Sequence, residues 1–133
     1  MAKMPKEVMD VFNDMKSTKI LATAGTVSEI NAVPKGSLRA IDDETIAFAD
    51  IFGGKTNKNL EINNKVAALA LGAEQGVGYQ VKGTFEGFQT SGELFDKFSE
   101  NAKQRKMNVK AVGTIKVDEV YTVGAPQPGK KIA

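Results

Sequence analysis

Apolar residues recur along the chain with two different spacings, and these spacings divide it into helices and strands. Residues 4–17 predict a helix with Pro5 in its first turn and an apolar stripe at helical spacing. The stripe consists of Val8, Val11, Phe12 and Met15. A second helix is predicted after a capping box of Thr90 and Glu93. It turns four apolar residues toward the core, Leu94, Phe95, Phe98 and Ala102.

Strand-like segments make up most of the remaining chain, and turn residues separate them. They cover residues 18–26, 30–41, 45–50, 65–71, 77–89 and 110–123. We expect the first two to form a hairpin across residues 27–29. Pro34, Lys35 and Gly36 predict a bulge in the second, because proline is tolerated in sheets mainly at edges and bulges. Residues 65–71 are apolar at nearly every position and are expected to be buried on both faces.

These elements predict a mainly β fold with flanking helices. We expect six antiparallel strands in a small barrel or strongly curled sheet, two longer helices, and one short helix that ends before Asn63. Gly83 and Gly87 suit the sharp bending of a sheet that closes into a barrel. With 133 residues, the chain is expected to form a single domain over residues 1–133.

A glycine pair followed by Lys-Thr joins two of these strands. Gly53 and Gly54 allow a tight turn, and the amides that follow can point at an anion at the start of the short helix. Lys55 adds a positive charge and Thr56 a hydroxyl, so we expect a phosphate group here. A glycine-bearing loop with exposed polar side chains is the simpler alternative.

The sequence of this segment also nearly matches the motif of the phosphate-binding loop in nucleoside-triphosphate hydrolases. Residues 49–56 read ADIFGGKT, in which Ala49 replaces the first glycine of that motif. That motif requires a parallel sheet of alternating strands and helices, whereas the strands here are predicted to be antiparallel. The context therefore disfavours triphosphate hydrolysis.

Composition narrows the chemistry further. The chain has 18 Lys and Arg residues against 16 Asp and Glu, a net charge of +2, so nonspecific binding to nucleic acid is not expected. It has neither a membrane-length apolar run nor an export signal, so we expect no membrane span and a cytoplasmic location. The chain contains no Cys and no His. We therefore predict no catalytic or metal-binding side chain, and expect a bound cofactor to carry any redox chemistry.

Three motifs in succession resemble the split-barrel family of FMN-binding proteins, which includes pyridoxamine 5'-phosphate oxidases and small FMN-binding proteins of anaerobic bacteria. The motifs are INAVPKGSL at residues 30–38, GGKTNKNL at residues 53–60 and GVGYQVKG at residues 76–83. The resemblance spans nearly the whole domain and is closer to the small bacterial proteins. It implies a split β-barrel.

The resemblance also implies a homodimer with one FMN in each of two clefts between the subunits. It places the phosphate near Lys55 and Thr56 and the flavin ring along residues 33–37. Lys35 is expected at the ring, and Asn59 is expected to add an amide donor one turn beyond Lys55; exposure to solvent is the alternative for both. The cofactor-binding residues implied are Val33, Pro34, Lys35, Gly36, Ser37, Ala49, Asp50, Gly53, Gly54, Lys55, Thr56 and Asn59.

The chain also departs from the family. The oxidases that make pyridoxal phosphate resemble one another in a C-terminal region with an Arg and a His, whereas this chain ends in APQPGKKIA. We therefore expect a flavin-dependent oxidoreductase or electron carrier, with a protein or small molecule as redox partner, rather than that oxidase. The alternative is a non-catalytic module that binds a phosphate-bearing ligand, either a flavin or a deazaflavin. Haem is disfavoured because no axial ligand is arranged for it.

Overall fold

Strands outnumber helices in the computed structural model, which describes residues 2–26, 29–74, 76–124 and 127–133. The helices in this part are α1 (Lys6–Asn13), α2 (Lys55–Ile62) and α3 (Glu93–Lys103). The strands are β1 (Thr18–Ala24), β2 (Ile30–Pro34), β3 (Arg39–Asp42), β4 (Thr45–Asp50), β5 (Lys65–Leu71), β6 (Gly78–Gln89) and β7 (Ala111–Thr122). None of the helices in these four ranges is long and apolar enough to cross a bilayer.

All neighbouring strands pair antiparallel in one curled sheet with the order β2-β1-β5-β6-β7-β4-β3. The predicted mainly β split barrel with flanking helices is confirmed. The sheet has seven strands rather than the six expected. The hairpin of β1 and β2 is confirmed as well, with Leu21 opposite Val33. Val27 and Ser28 of its predicted turn lie outside the described residues.

The additional strand comes from residues 30–41, and our prediction of a single bulged strand there is wrong. β2 ends at Pro34, and β3 begins at Arg39 on the opposite edge of the sheet. Pro34 has no N–H to extend a ladder, and the chain then turns so that Leu38 is fully buried in the core. Residues 35–38, which we call the strap, therefore join the two edges.

The main core lies on the inner face of the curled sheet. α1 packs Val8 and Phe12 against it, and each such side chain contributes about 1.5–3 kcal/mol of hydrophobic stabilisation. Met15 was predicted to complete this stripe, which is wrong, because α1 ends at Asn13 and Met15 is 71% exposed. Other fully buried members of the core include Leu21, Leu38, Ile46, Phe48, Val81 and Ile115.

β5 is buried on one face only, so the expectation of burial on both faces is wrong for the single chain. Val66, Ala68 and Ala70 point into the core, whereas Ala67 and Leu69 on the outer face are half-buried. An antiparallel sheet can be covered on one side only, even where both sides are apolar. The outer face of β5 is therefore an apolar surface.

β6 bends at the two predicted glycines. Its pairing with β7 shifts between Lys82 and Gly83 and again between Phe85 and Gly87. The bending expected at Gly83 and Gly87 is confirmed by these two irregularities, which curl the sheet.

α3 packs on the outer face of β4 and β7 and forms a second apolar cluster. Phe98 and Ala102 are buried, as predicted, and Leu94 and Phe95 are partly buried. The predicted capping box is wrong, because α3 begins at Glu93 itself and Gly92 precedes it without a side-chain cap. α3 is therefore held by its apolar face and forms one wall of a cleft.

Candidate functional site

A cleft of about 690 Å³ lies between the strap, the loop after β4 and the C-terminal end of α3. Its volume lies within the usual range for sites that bind small organic ligands. The predicted residues that line it are Val33, Pro34, Lys35, Gly36, Ser37, Ala49, Gly53, Gly54, Lys55 and Thr56. Two segments that are distant in the sequence therefore meet at one site.

The glycine loop brings the start of α2 to the cleft. Gly54 has a φ of 154°, a conformation that side chains strongly disfavour, and it forms the N-cap of α2 without any side-chain cap. The first amides of the helix are thus not capped by a side chain, and the helix dipole makes this end positive. Such a helix terminus is well suited to an anion.

Two side chains of the first turn of α2 add to this anion site. Lys55 is exposed and has no carboxylate partner among the ion pairs of the described residues. Thr56 is buried, and its hydroxyl oxygen accepts a hydrogen bond from the Asn31 side-chain amide at 3.1 Å. The Thr56 hydroxyl proton thereby remains available for a ligand oxygen.

The strap and β4 form the floor of the cleft. The Ser37 hydroxyl oxygen accepts a hydrogen bond from the Ala49 backbone N–H at 2.9 Å. The small side chain of Ala49 leaves space above the strand, and Val33 adds an apolar surface beside it. A flat apolar ring fits such a floor.

Lys35 lines the cleft, but its amine also approaches the aromatic residues of the barrel. The Nζ atom lies 5.6 Å from the centroid of the Phe48 ring. Burial lowers the pKa of the Lys35 ammonium below its ordinary value, and the nearby charge of Asp50 partly offsets this effect. The Lys35 side chain is therefore half-buried between the cleft and the Phe48 ring.

Asp50 and Asn59 are the two predicted site residues that do not line the cleft. Asp50 is 7% exposed and lies behind the glycine loop. Asn59 is buried, and its amide donates to the Thr23 hydroxyl at 3.2 Å and to the Glu29 carbonyl at 3.4 Å. Asn59 therefore ties α2 to β1 and to the chain leading into β2, instead of offering a donor to a ligand.

Two arginines line the cleft that were not among the predicted site residues. Arg39 lies opposite Ala47 of β4, and Arg105 follows α3. Neither has a carboxylate partner in the part of the chain that the structure describes. Lys19 lies beside them, and burial followed by the charge of Arg39 lowers its pKa, with a smaller contribution from Arg105. This end of the cleft is therefore positive.

Other lining residues also escaped the sequence reasoning. Phe52 is 80% exposed at the rim beside the glycine pair. Arg105 belongs to a run of basic residues after α3, which is typical of a helix C-terminus and gives no separate signal for the cleft. The remaining ones are Met15, Asn31, Ile51, Phe98, Asn101, Ala102, Gln104 and Met107.

The arrangement can hold a flat ligand that carries a phosphate. One end offers helix amides, Lys55 and Thr56, the middle offers an apolar floor, and the other end offers two guanidinium groups. Among the described residues, no group of Asp and Glu side chains is placed to bind a metal ion. The cleft can hold and orient a ligand, and its own side chains offer no nucleophile of the Cys or His type.

Comparisons with known proteins agree with this picture. The family model described as pyridoxamine 5'-phosphate oxidase matches residues 4–124. The crystal structure of HupZ from Group A Streptococcus is 28% identical, with a TM-score of 0.83 over 98% of this chain and 99% of that one. No curated protein sequence matches the chain.

Two more distant structures share the fold. An FMN-binding protein from Syntrophomonas wolfei is 20% identical, with a TM-score of 0.79 over 92% of this chain and 87% of that one. An F420 reductase is 15% identical, with a TM-score of 0.64 over 88% of this chain and 98% of that one.

Proposed function

Because the chain belongs to the pyridoxamine 5'-phosphate oxidase family of split-barrel FMN-binding proteins, we propose that it binds FMN and acts as a flavin-dependent oxidoreductase or electron carrier. The observation that carries this proposal is the meeting of the glycine loop and the strap in one cleft. The loop offers an anion site, and the strap offers a floor for a ring. A bound flavin supplies hydride and one-electron transfer, for which this chain has no side chains of its own.

The start of α2 is the part of the cleft that fits the FMN phosphate. Lys55 can donate a charge-assisted hydrogen bond, and the Thr56 hydroxyl and the first helix amides can add neutral donors. These groups cluster within one helical turn, so a phosphate there meets several donors without rearrangement of the helix. The phosphate end thus recognises FMN rather than riboflavin.

The other end of the cleft fits the flavin ring and whatever it reacts with. The ring would rest on Ala49 and Val33 beside Ser37, with Arg39 and Arg105 beyond it. A guanidinium group near the pyrimidine edge favours a negatively charged reduced flavin, and it also attracts an anionic substrate. The protein residues would orient the ring and set its charge environment.

We further propose that the cleft is shared between two copies of the chain. In a single chain the rim residue Phe52 is 80% exposed, and the outer face of β5 leaves Leu69 half-buried. Pairing of two chains would cover such apolar surface and add a wall to the cleft. Sedimentation at micromolar concentration is expected to give twice the mass of one chain. A monomer that binds FMN tightly would contradict the shared cleft.

The absorption spectrum of the purified protein tests the FMN proposal most directly. We expect a yellow protein whose flavin absorbance bleaches on reduction, and a denatured sample that releases FMN. A colourless preparation is to be titrated with FMN and with riboflavin. Failure of both flavins to bind, in protein with the expected circular dichroism spectrum, would refute the proposal.

A deazaflavin is the alternative ligand for the same cleft. The two arginines favour it, because they offer charge for anionic groups beyond those that FMN carries. The shared fold with F420 reductase adds support. Competition between FMN and F420 distinguishes the two, since the native ligand is expected to displace the other at equal concentration.

A further inference from the structure

Asp50 lies behind the glycine loop and contacts the loop through a second side chain. It is the last residue of β4, and one of its carboxylate oxygens, Oδ2, accepts a hydrogen bond from the Asn57 side-chain amide at 2.9 Å. Asn57 stands in the first turn of α2, directly after Lys55 and Thr56. The carboxylate therefore holds the turn that carries the proposed phosphate donors.

Gly53 packs closely against the Asp50 and Asn57 side chains. A Cβ atom at Gly53 would lie 2.9 Å from the Asp50 Oδ1 atom and would overlap the Asn57 amide nitrogen. The Gly53 backbone thus packs directly against the Asp50 and Asn57 side chains. A side chain at residue 53 would therefore push the Asn57 amide and the Asp50 carboxylate out of their positions.

Asp50 and Asn57 each keep one buried oxygen without a hydrogen-bond partner among the described residues. These oxygens are the Asp50 Oδ1 atom and the Asn57 Oδ1 atom. A buried acceptor left unpaired costs about 1–3 kcal/mol, so an arrangement with two of them is unfavourable unless something offsets it. The nearby charge of Lys35 attracts the Asp50 carboxylate, as its effect on the pKa of Lys35 indicates.

We propose that Asp50 is a positioning residue for the phosphate half of the cleft. It holds Asn57, and through Asn57 it fixes the Gly53–Gly54 turn so that the first amides of α2 face the bound phosphate. This inference rests on the proposed binding of FMN. Asp50 itself does not touch the ligand, because it lies outside the lining of the cleft.

Flavin fluorescence titrations of four variants test this role. Asp50→Ala and Asn57→Ala each remove the hydrogen bond, and we expect each to weaken FMN binding about tenfold while riboflavin binding changes less than about threefold. Asp50→Asn keeps an acceptor for the Asn57 amide and is expected not to weaken FMN binding. Asp10→Asn is the matched control, because Asp10 forms an exposed ion pair with Lys6 on α1.

The double variant Asp50→Ala/Asn57→Ala shows whether the two residues act through their one shared hydrogen bond or through two separate effects. Because both residues act through one hydrogen bond, the double variant is expected to bind FMN as each single variant does. Losses that multiply would overturn the proposal, as would equal losses of FMN and riboflavin in Asp50→Ala. If the wild type prefers FMN and Asp50→Ala keeps that preference, the positioning role fails while the proposed function stands.

Hydrogen exchange of the unliganded protein gives a measurement that does not depend on the cofactor. We expect the Lys58 backbone amide, which donates to the Gly54 carbonyl at 3.0 Å and so closes the first turn of α2, to exchange at least about fivefold faster in Asp50→Ala than in the wild type, and at the wild-type rate in Asp50→Asn. Unchanged exchange in Asp50→Ala would overturn the proposed positioning role of Asp50. If the wild type binds no flavin, the FMN proposal fails, but faster exchange in Asp50→Ala still supports the role of Asp50 in holding the first turn of α2.

Discussion

Lys55 occupies the first position of α2, and its removal is the most direct perturbation of the proposed phosphate site. A hydrogen bond to a charged group contributes about 1.5–3 kcal/mol. The Lys55 side chain is exposed, so water and salt screen part of that interaction, and we take the lower end of the range. A loss of about 1.4 kcal/mol corresponds to about tenfold weaker FMN binding in Lys55→Ala. Riboflavin lacks the phosphate, so its affinity is expected to stay within about twofold.

The assay is a flavin fluorescence titration of both ligands at two salt concentrations. Raising the salt to about 1 M shortens the screening length to about 3 Å, so the difference between wild type and Lys55→Ala for FMN is expected to shrink. Lys58→Ala is the control, since Lys58 is an exposed lysine of the same helix that does not line the cleft. Equal losses of FMN and riboflavin in Lys55→Ala would refute the placement of the phosphate at the glycine loop.

Four further outcomes follow from the backbone and the core. Gly54→Ala forces a side chain into a φ of 154° and is expected to lower the free energy of unfolding by about 1–3 kcal/mol in urea titrations. Gly36→Ala should leave it within about 0.5 kcal/mol, because its Cβ meets nothing within 4 Å. Phe48→Ala removes a fully buried ring and should cost about 3–5 kcal/mol in the same assay. Burial lowers the pKa of Lys19 from its ordinary value of 10.5. Between that lowered pKa and about pH 10.5 the unfolded chain binds more protons than the folded one, so wild-type stability should rise with pH in this alkaline window relative to Lys19→Met. A stability difference that does not change with pH over this window contradicts this.

Segments whose local pattern agrees with their environment were predictable from the sequence. Thr45–Asp50 and Lys65–Leu71 have the predicted bounds, since each is an apolar run between polar turn residues. The strap was not predictable, because Pro34 and Gly36 are equally compatible with a bulge and with a crossover. Which of these forms depends on where the two halves of residues 30–41 find partners. The strand pairing of the whole sheet therefore determines whether a bulge or a crossover forms.

The site was predictable to a similar degree. The glycine loop and strap carry local signals, namely the Gly-Gly-Lys-Thr run and the Pro-Lys-Gly break, and both line the cleft. Arg39 and Arg105 carry no such signal, because they reach the cleft only after β3 pairs with β4 and α3 packs on the sheet. Asn59 was misplaced for a related reason. Helical spacing relates it to Lys55, but the side of α2 that faces β1 is fixed by tertiary packing.

The strap forms part of the cleft floor, yet one of its positions, Gly36, contributes little to the stability of the fold. Its hydrogen bonds to the rest of the sheet run through a few groups: the Lys35 N–H donates to the Lys19 carbonyl at 2.8 Å, and the Ser37 hydroxyl oxygen accepts from the Ala49 N–H at 2.9 Å. A side chain introduced at residue 36 would not disturb strand pairing, because Gly36 has open space around it. New side chains can therefore arise there at little cost in stability and reshape the floor of the cleft. A barrel of this kind can change its ligand over evolution by local substitution while its sheet stays the same.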